Sequence, residues 1–305
     1  MRAKPPIPIL LGTTASGKTE VAIALAQAVD GEIISMDARA IYRGMDIGTA
    51  KPTLEQRRRV PHHLIDICEL NETFDAYQFR QRAAKTIEDL FSRGKLPIFV
   101  GGTTLYLKAL TEGLFEGAGA DPRLRAELEA LPLEALYEQL RQVDPQTARR
   151  LEPNDRIRIT RALEVFRQTG QSIRTLQAQA APLPFSFKKF GLRWPRHMLY
   201  ERINRRVELM LEQGLQEEVK ELLDKFTPGT PAYKTYGYQE LIAHYRRECS
   251  LAHAVEKIKQ HTRNYAKRQL TWHRKDPQIV WLDVEGHTPQ ALALRIKHHL
   301  EAPTG

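Results

Sequence analysis

Gly12-Thr13-Thr14-Ala15-Ser16-Gly17-Lys18-Thr19 fits the pattern G-x-x-x-x-G-K-[ST], and each part of it has a task in holding phosphate. The glycines let backbone N–H groups converge on phosphate oxygens, and a helix starting there adds positive potential. Lys18 supplies a mobile positive charge, and the Thr19 hydroxyl is a candidate Mg2+ ligand. The loop reads as a phosphate site but leaves ATP, GTP or another diphosphate open as its ligand.

Two further residues sit where open α/β sheets gather their ligands, past the ends of apolar runs. Asp37 follows Ile33–Met36, and from position alone it is as much a helix cap or an outer magnesium ligand as a general base. Thr103 follows Leu96–Val100 and two glycines; its hydroxyl serves either a ligand or the cap of the next helix. His62 and His63 are adjacent, so on a strand they point to opposite faces and do not share a metal ion. We read them as structural or as crevice lining.

Those residues need a scaffold, and the hydrophobic pattern supplies one. Ile7–Leu11, Ile33–Met36 and Leu96–Val100 are short buried strands. Val21, Leu25 and Val29, with Ala22 and Ala26 beside them, form an apolar stripe on a helix beginning at Lys18. A second amphipathic helix is expected to follow Asn71–Thr73 and stop at Gly94. Strands alternating with helices imply an α/β fold, a parallel sheet of the P-loop NTPase type flanked by helices. From about 118 the texture changes: Asp121-Pro122, Asp144-Pro145 and Asn154-Asp155 look like helix starts, with no strand signal between them. The expectation is therefore a core of residues 1–117 and 184–305 interrupted by an all-helical insertion, 118–183. Phe185–Trp194 returns the chain to the sheet, and helices over 197–213, 215–226, 234–247 and 251–275 dominate the remainder.

Composition narrows the class. The chain has 305 residues with a formal net charge of +9, which permits a polyanionic partner without requiring one. No run of apolar residues is long enough to span a bilayer, and the N-terminal apolar stretch runs into the glycine loop rather than a cleavage site. Two distant cysteines, Cys68 and Cys249, form no disulfide framework, which suits a cytoplasmic protein. Lys257–Lys275 contains no acidic residue, and Lys259, Arg263 and Lys267 recur at i+4, extended by Arg268, Arg274 and Lys275. As a helix this stripe would follow phosphates, with Tyr265 and Trp272 as core anchors.

Several long segments, in order, resemble the tRNA dimethylallyltransferase family: GTTASGKT, IISMDARAIYRGMDIGTAKP from Ile33, PHHLID, VGGTTLYLKAL, ADPRLRAEL, NDRIRITRALEVF and KRQLTW. The resemblance covers about residues 7–275. It implies transfer of a dimethylallyl group from dimethylallyl diphosphate to N6 of the adenosine at tRNA position 37, beside the anticodon, with release of diphosphate. The phosphate loop would then hold the leaving diphosphate, with Mg2+ at Thr19. Asp37 would act as base and Thr103 would contact the adenine or its sugar-phosphate; Lys18 completes the catalytic set. The resemblance also places Asp37, Ala38, Arg39, Ala40, Thr103, Arg125 and the run Ile157, Arg158, Ile159, Thr160, Arg161 at the tRNA. We add Lys267 and Arg268 to that surface, with Arg158 and Arg161 on one helix face by i, i+3 spacing. Lys234, ahead of Gly237-Tyr238, is a candidate diphosphate contact, although Tyr233-Lys234-Thr235-Tyr236 departs from the common family pattern. The zinc-finger extension of eukaryotic relatives is missing from this sequence, and a monomeric, bacterial-type enzyme is expected. The rivals are a small-molecule kinase using ATP on the same loop, and an RNA-binding GTPase-like module. The second lacks the N-K-x-D segment that reads guanine.

Overall fold

Residues Ile7–Gly12 form β1, and all six are buried; such a strand must be covered on both faces. The computed structural model describes residues 4–115, 119 and 121–302. The chain divides into two compact units, one running through Leu107 and resuming at Pro184, the other Lys108–Leu183. The junction expected at 117 and 118 falls on residues outside those described.

In the first unit, β1 is followed by α1 (Lys18–Val29), β2 (Gly31–Met36), α2 (Leu54–Arg59), β3 (His62–His63), α3 (Ala76–Ser92) and β4 (Leu96–Gly101), and α4 (Thr104–Thr111) runs from the first unit into the second. The second unit holds α5 (Pro122–Glu129), α6 (Leu133–Val143), α7 (Pro145–Ala148), α8 (Arg156–Thr169) and α9 (Ile173–Ala178). The first unit resumes with β5 (Phe187–Arg193), α10 (Arg196–Glu212), α11 (Leu215–Leu222), α12 (Tyr238–Tyr245), α13 (Leu251–His273), β6 (Ile279–Asp283) and α14 (Pro289–Glu301).

The six strands form one parallel sheet in the order β3-β2-β4-β1-β5-β6. β1 lies centrally, with Ile9 opposite Phe99 of β4 and Lys189 of β5. Six consecutive residues of α1, Val21–Ala26, are buried rather than a single stripe. The cause is α14, whose Leu292, Ala293 and Ile296 join α1 and the sheet in one apolar cluster. Neither α14 nor β6 was expected from the sequence; the five residues of β6 are too few to declare a period.

Capping decides the helix boundaries. α3 starts after Asp75, later than the expected Asn71–Thr73, because Asp75 and Gln78 exchange side-chain bonds with each other's backbone N–H. It ends at Arg93, with Gly94 left-handed, where the sequence placed the stop. α12 begins at Tyr238, not 234, so Lys234–Gly237 is a loop. Within the second unit, Asp121, Asp144 and Asp155 each accept hydrogen bonds from the first turn of the helix they cap.

Candidate active site

A crevice of about 540 Å³ opens beyond the C-terminal ends of β1, β2 and β4, lined by Thr14–Thr19, Asp37–Ala40 and Thr103. Open parallel sheets place ligands there because successive loops diverge at those ends. Gly17 (φ +88°) leads into α1 with no side-chain cap, so the first-turn amides are left for a ligand. The N–H groups of Gly17, Lys18 and Thr19 have no acceptor among the described residues. Gly12 and Thr13, expected to touch the ligand, do not line the crevice; their carbonyls instead accept hydrogen bonds from Lys18 Nζ at 3.0 and 2.7 Å. Burial, and then the nearby Arg206, lower the Lys18 ammonium pKa to about 8, against the opposing pull of Asp37.

Asp37 serves two ends at once. Its Oδ1 accepts hydrogen bonds from the N–H groups of Arg39 (2.8 Å) and Ala40 (3.4 Å), which is the cap role foreseen as an alternative. Its Oδ2 has no partner among the described residues, and the side chain lines the crevice. Thr103 does not cap α4 through its side chain: its Oγ1 accepts from Ala38 N–H at 3.1 Å, and its own N–H donates to Met36 O. These two bonds fasten the tip of β4 to the segment carrying Asp37. Arg39, lining the crevice with Ala38 and Ala40, donates to the Pro231 carbonyl, and Lys234 lines the same space.

Two contributors were missed from sequence. Arg206 of α10 lines the crevice; burial pushes its pKa below the ordinary value while Asp37 supports its charge. A guanidinium remains protonated through such a shift. The i, i+4 pair Arg202 and Arg206 was the available signal. Gln269 of α13 is buried, accepting from Thr14 N–H at 3.2 Å and donating to Gly102 O at 2.9 Å. A Cβ on Gly102 would stand 2.2 Å from Gln269 Nε2, so a larger residue there would push the Gln269 amide off Gly102 O.

His63 bonds to Glu32 at 2.7 Å and is structural; His62 lines the crevice. Among the described residues no group of three or more His, Cys, Asp or Glu could hold a metal ion. Thr19 lines the crevice at the first turn of α1 as an oxygen donor.

The basic stripe of α13 is smaller than its sequence suggested. Lys259 pairs with Glu208 of α10 (3.2 Å) and Glu256, and Arg263 donates to Asn204 at 2.6 Å, so neither is offered to a phosphate. Glu208 of α10 and Glu256, one turn earlier on α13, neutralise Lys259 in a stretch that looked acid-free, and Arg263 is held by Asn204. Lys267, Thr271, Trp272 and Lys275 line a neighbouring groove with Arg268, which also lines the crevice and donates to Tyr236 Oη at 3.0 Å. Tyr265, expected as core, lines the crevice, its hydroxyl pKa pushed up by burial to about 12.

In the second unit Ile157 is 83% exposed and Arg158, paired with Asp155 at 2.9 Å, is exposed too. Ile159 is fully buried in that unit's apolar cluster and Thr160 is buried beside it, which removes both side chains from any RNA contact. Arg161 and Arg125 both bond the buried Glu164, at 2.6 and 3.0 Å, so Arg158 and Arg161 do not act as one exposed face. Burial would raise the Glu164 carboxyl, but hydrogen bonds from Arg161, the Asp121 amide and Arg125 hold it below its usual range.

The sheet and its crevice define a phosphate-loop α/β protein whose ligand end also carries a carboxylate. A family model described as IPP transferase matches residues 40–276. The chain is 47% identical over 300 residues to tRNA dimethylallyltransferase 2 from Geotalea uraniireducens, covering 96% of each chain. Among solved structures it is similar to the tRNA isopentenylpyrophosphate transferase of Bacillus halodurans, with a TM-score of 0.74, 37% identity and coverage of 98% and 97%. It is also similar to a eukaryotic dimethylallyltransferase acting on tRNA, with a TM-score of 0.80, 29% identity and coverage of 92% and 74%. The chain belongs to the IPP transferase family. The family model begins at Ala40, and the relative from Geotalea uraniireducens, aligned over 96% of this chain, extends the likeness through the phosphate loop and Asp37.

Proposed function

We propose that this enzyme transfers the dimethylallyl group of dimethylallyl diphosphate to N6 of the adenosine at position 37 of tRNA, giving N6-dimethylallyladenosine and diphosphate. One observation carries the reading: a phosphate grip and a carboxylate with a free oxygen line the same crevice. The bond between C1 of the prenyl group and the diphosphate oxygen breaks, and its electron pair leaves with diphosphate. N6 bonds to C1, and its proton passes to Asp37 Oδ2. Lys18, Arg206 and the amides of Gly17–Thr19 receive the charge that builds on the leaving group. Lys234 adds a further cation on the crevice wall. Thr103 keeps the Asp37 segment in register through Ala38.

Thr19 fits a Mg2+ ion that arrives with the diphosphate, since that ion keeps mostly phosphate and water oxygens and needs few from protein. When bound, it would neutralise charge on the diphosphate.

An adenine reached in this way must leave its stack, which an anticodon loop permits more readily than a duplex. The exposed Ile157 and Arg158 and the groove at Lys267 and Arg268 are the surfaces proposed for the RNA. Both cysteines are free thiols, as a cytoplasmic enzyme's would be, and among the described residues no helix is long and apolar enough to cross a membrane.

Neutralising Lys267 and Arg268 together is expected to weaken tRNA binding and reduce the slope of log K against log salt by about one to two. Binding isotherms at several salt concentrations check this, and an unchanged slope retires the groove as a phosphate contact. The lowered Lys18 pKa sets a pH dependence: above about 8 the free enzyme loses the ammonium that grips diphosphate. kcat/KM for dimethylallyl diphosphate should therefore fall by about tenfold per pH unit beyond that point, while kcat holds to higher pH because bound diphosphate restores the charge. A kcat/KM profile level from pH ~7 to ~9.5 would exclude Lys18 as that grip.

The kinase rival is separated by one assay. Incubation with tRNA, Mg2+ and labelled dimethylallyl diphosphate should place prenyl label in RNA. Labelled ATP passing phosphate to a small acceptor would support the kinase instead.

A further inference from the structure

We propose that Trp194 is a positioning residue for diphosphate, holding the Ser16 carbonyl away from the crevice so that the Gly17 N–H points into it. The inference rests on the diphosphate reading above and extends it to a residue outside the crevice lining. Trp194 stands directly after β5, and its Nε1–H donates to Ser16 O at 3.1 Å. A trans peptide is planar, with its carbonyl and its N–H on opposite sides. Fixing the carbonyl of the Ser16–Gly17 unit therefore fixes the direction of the Gly17 N–H. That N–H has no acceptor among the described residues, and Gly17 lines the crevice.

The loop needs such support from outside. Ala15 holds a left-handed φ of +61°, a conformation an alanine keeps only when its surroundings impose it. From within the loop, Ser16 N–H closes a turn onto Thr13 O at 3.3 Å, but its hydroxyl oxygen is buried without a hydrogen-bond partner. Arg202 of α10 supplies the second hold, donating from Nε to Ala15 O at 2.9 Å. Its guanidinium lies 4.4 Å from the centre of the Trp194 ring, so indole and guanidinium form one bracket across two successive carbonyls. Gln269 holds Thr14 N–H separately. The loop's amide-inward conformation is thus set by side chains of β5's end, α10 and α13.

The variant Trp194→Phe keeps a ring under Arg202 and removes the Nε1–H. The Kd of inorganic diphosphate, measured by calorimetry on the full chain, and the KM for dimethylallyl diphosphate should each rise about tenfold, the worth of one hydrogen bond serving a charged ligand. kcat should fall as well, by about tenfold or less, because the same N–H takes up charge on the departing diphosphate, and the Kd for tRNA should not move. Benzothienylalanine at position 194 replaces the N–H by sulfur with almost no change of shape, and it should reproduce the loss even if the phenylalanine variant folds poorly. Unchanged diphosphate affinity in the benzothienylalanine enzyme overturns the proposal, as does a fall in kcat without a change in Kd. A wild-type enzyme that binds diphosphate but transfers no prenyl group would sink the transferase reading while leaving the Trp194 measurement decisive on its own.

Discussion

Asp37→Asn is expected to lower the rate of prenyl transfer by about 10²–10⁴, the usual worth of a general base, while tRNA affinity stays within about twofold. Adenine N6 is a weak nucleophile because its lone pair is delocalised into the ring, so loss of its proton must accompany attack. Asparagine keeps an oxygen that can accept from Arg39 and Ala40, preserving the turn that Asp37 Oδ1 now holds. What it lacks is the basic oxygen. The substitution therefore separates the cap role that the structure shows from the base role proposed for the same carboxylate. Single-turnover transfer and tRNA binding on the same preparation check the prediction. A variant within about tenfold of the parent would remove Asp37 from proton transfer and leave it a cap alone.

The second large effect concerns Arg206. Arg206→Met, which retains much of the apolar stem, should reduce kcat/KM for dimethylallyl diphosphate by about 10²–10³, the scale seen when one preorganised charge partner of a leaving group is lost. It should also move a second observable. Arg206 is a cause of the lowered Lys18 pKa, so its removal lets that pKa rise. The alkaline limb of kcat/KM should then shift to higher pH in the variant. A rate loss without that shift would mean that Arg206 acts apart from Lys18.

Much of this site was legible in advance because its parts announce themselves locally. The phosphate loop is contiguous, its glycines are irreplaceable in their conformation, and the apolar runs of β1, β2 and β4 stand against polar flanks. Asp121, Asp144 and Asp155 marked helix starts for the same reason: a cap is a contact within one turn. What stayed hidden depends on partners far away in the chain. Gln269 reaches a loop 255 residues earlier, and nothing in its neighbours signals that reach. Lys259 and Arg263 looked free until α10 brought Glu208 and Asn204 against them. Ile159 and Thr160 shared a family segment with exposed neighbours, but a helix turns about 100° per residue and carries them into the core. From position alone Asp37 read equally as a cap and as a base, and the resemblance favoured the base; the structure shows the cap, through the N–H groups of Arg39 and Ala40.

Nucleoside mass spectrometry of a tRNA incubated with the purified protein, Mg2+ and isotope-labelled dimethylallyl diphosphate tests the central claim most directly. The account predicts one labelled nucleoside, N6-dimethylallyladenosine, mapped to the residue immediately 3′ of the anticodon and formed in step with released diphosphate. RNA that stays unlabelled while the protein retains bound diphosphate, or label attached anywhere other than adenine N6, would contradict it.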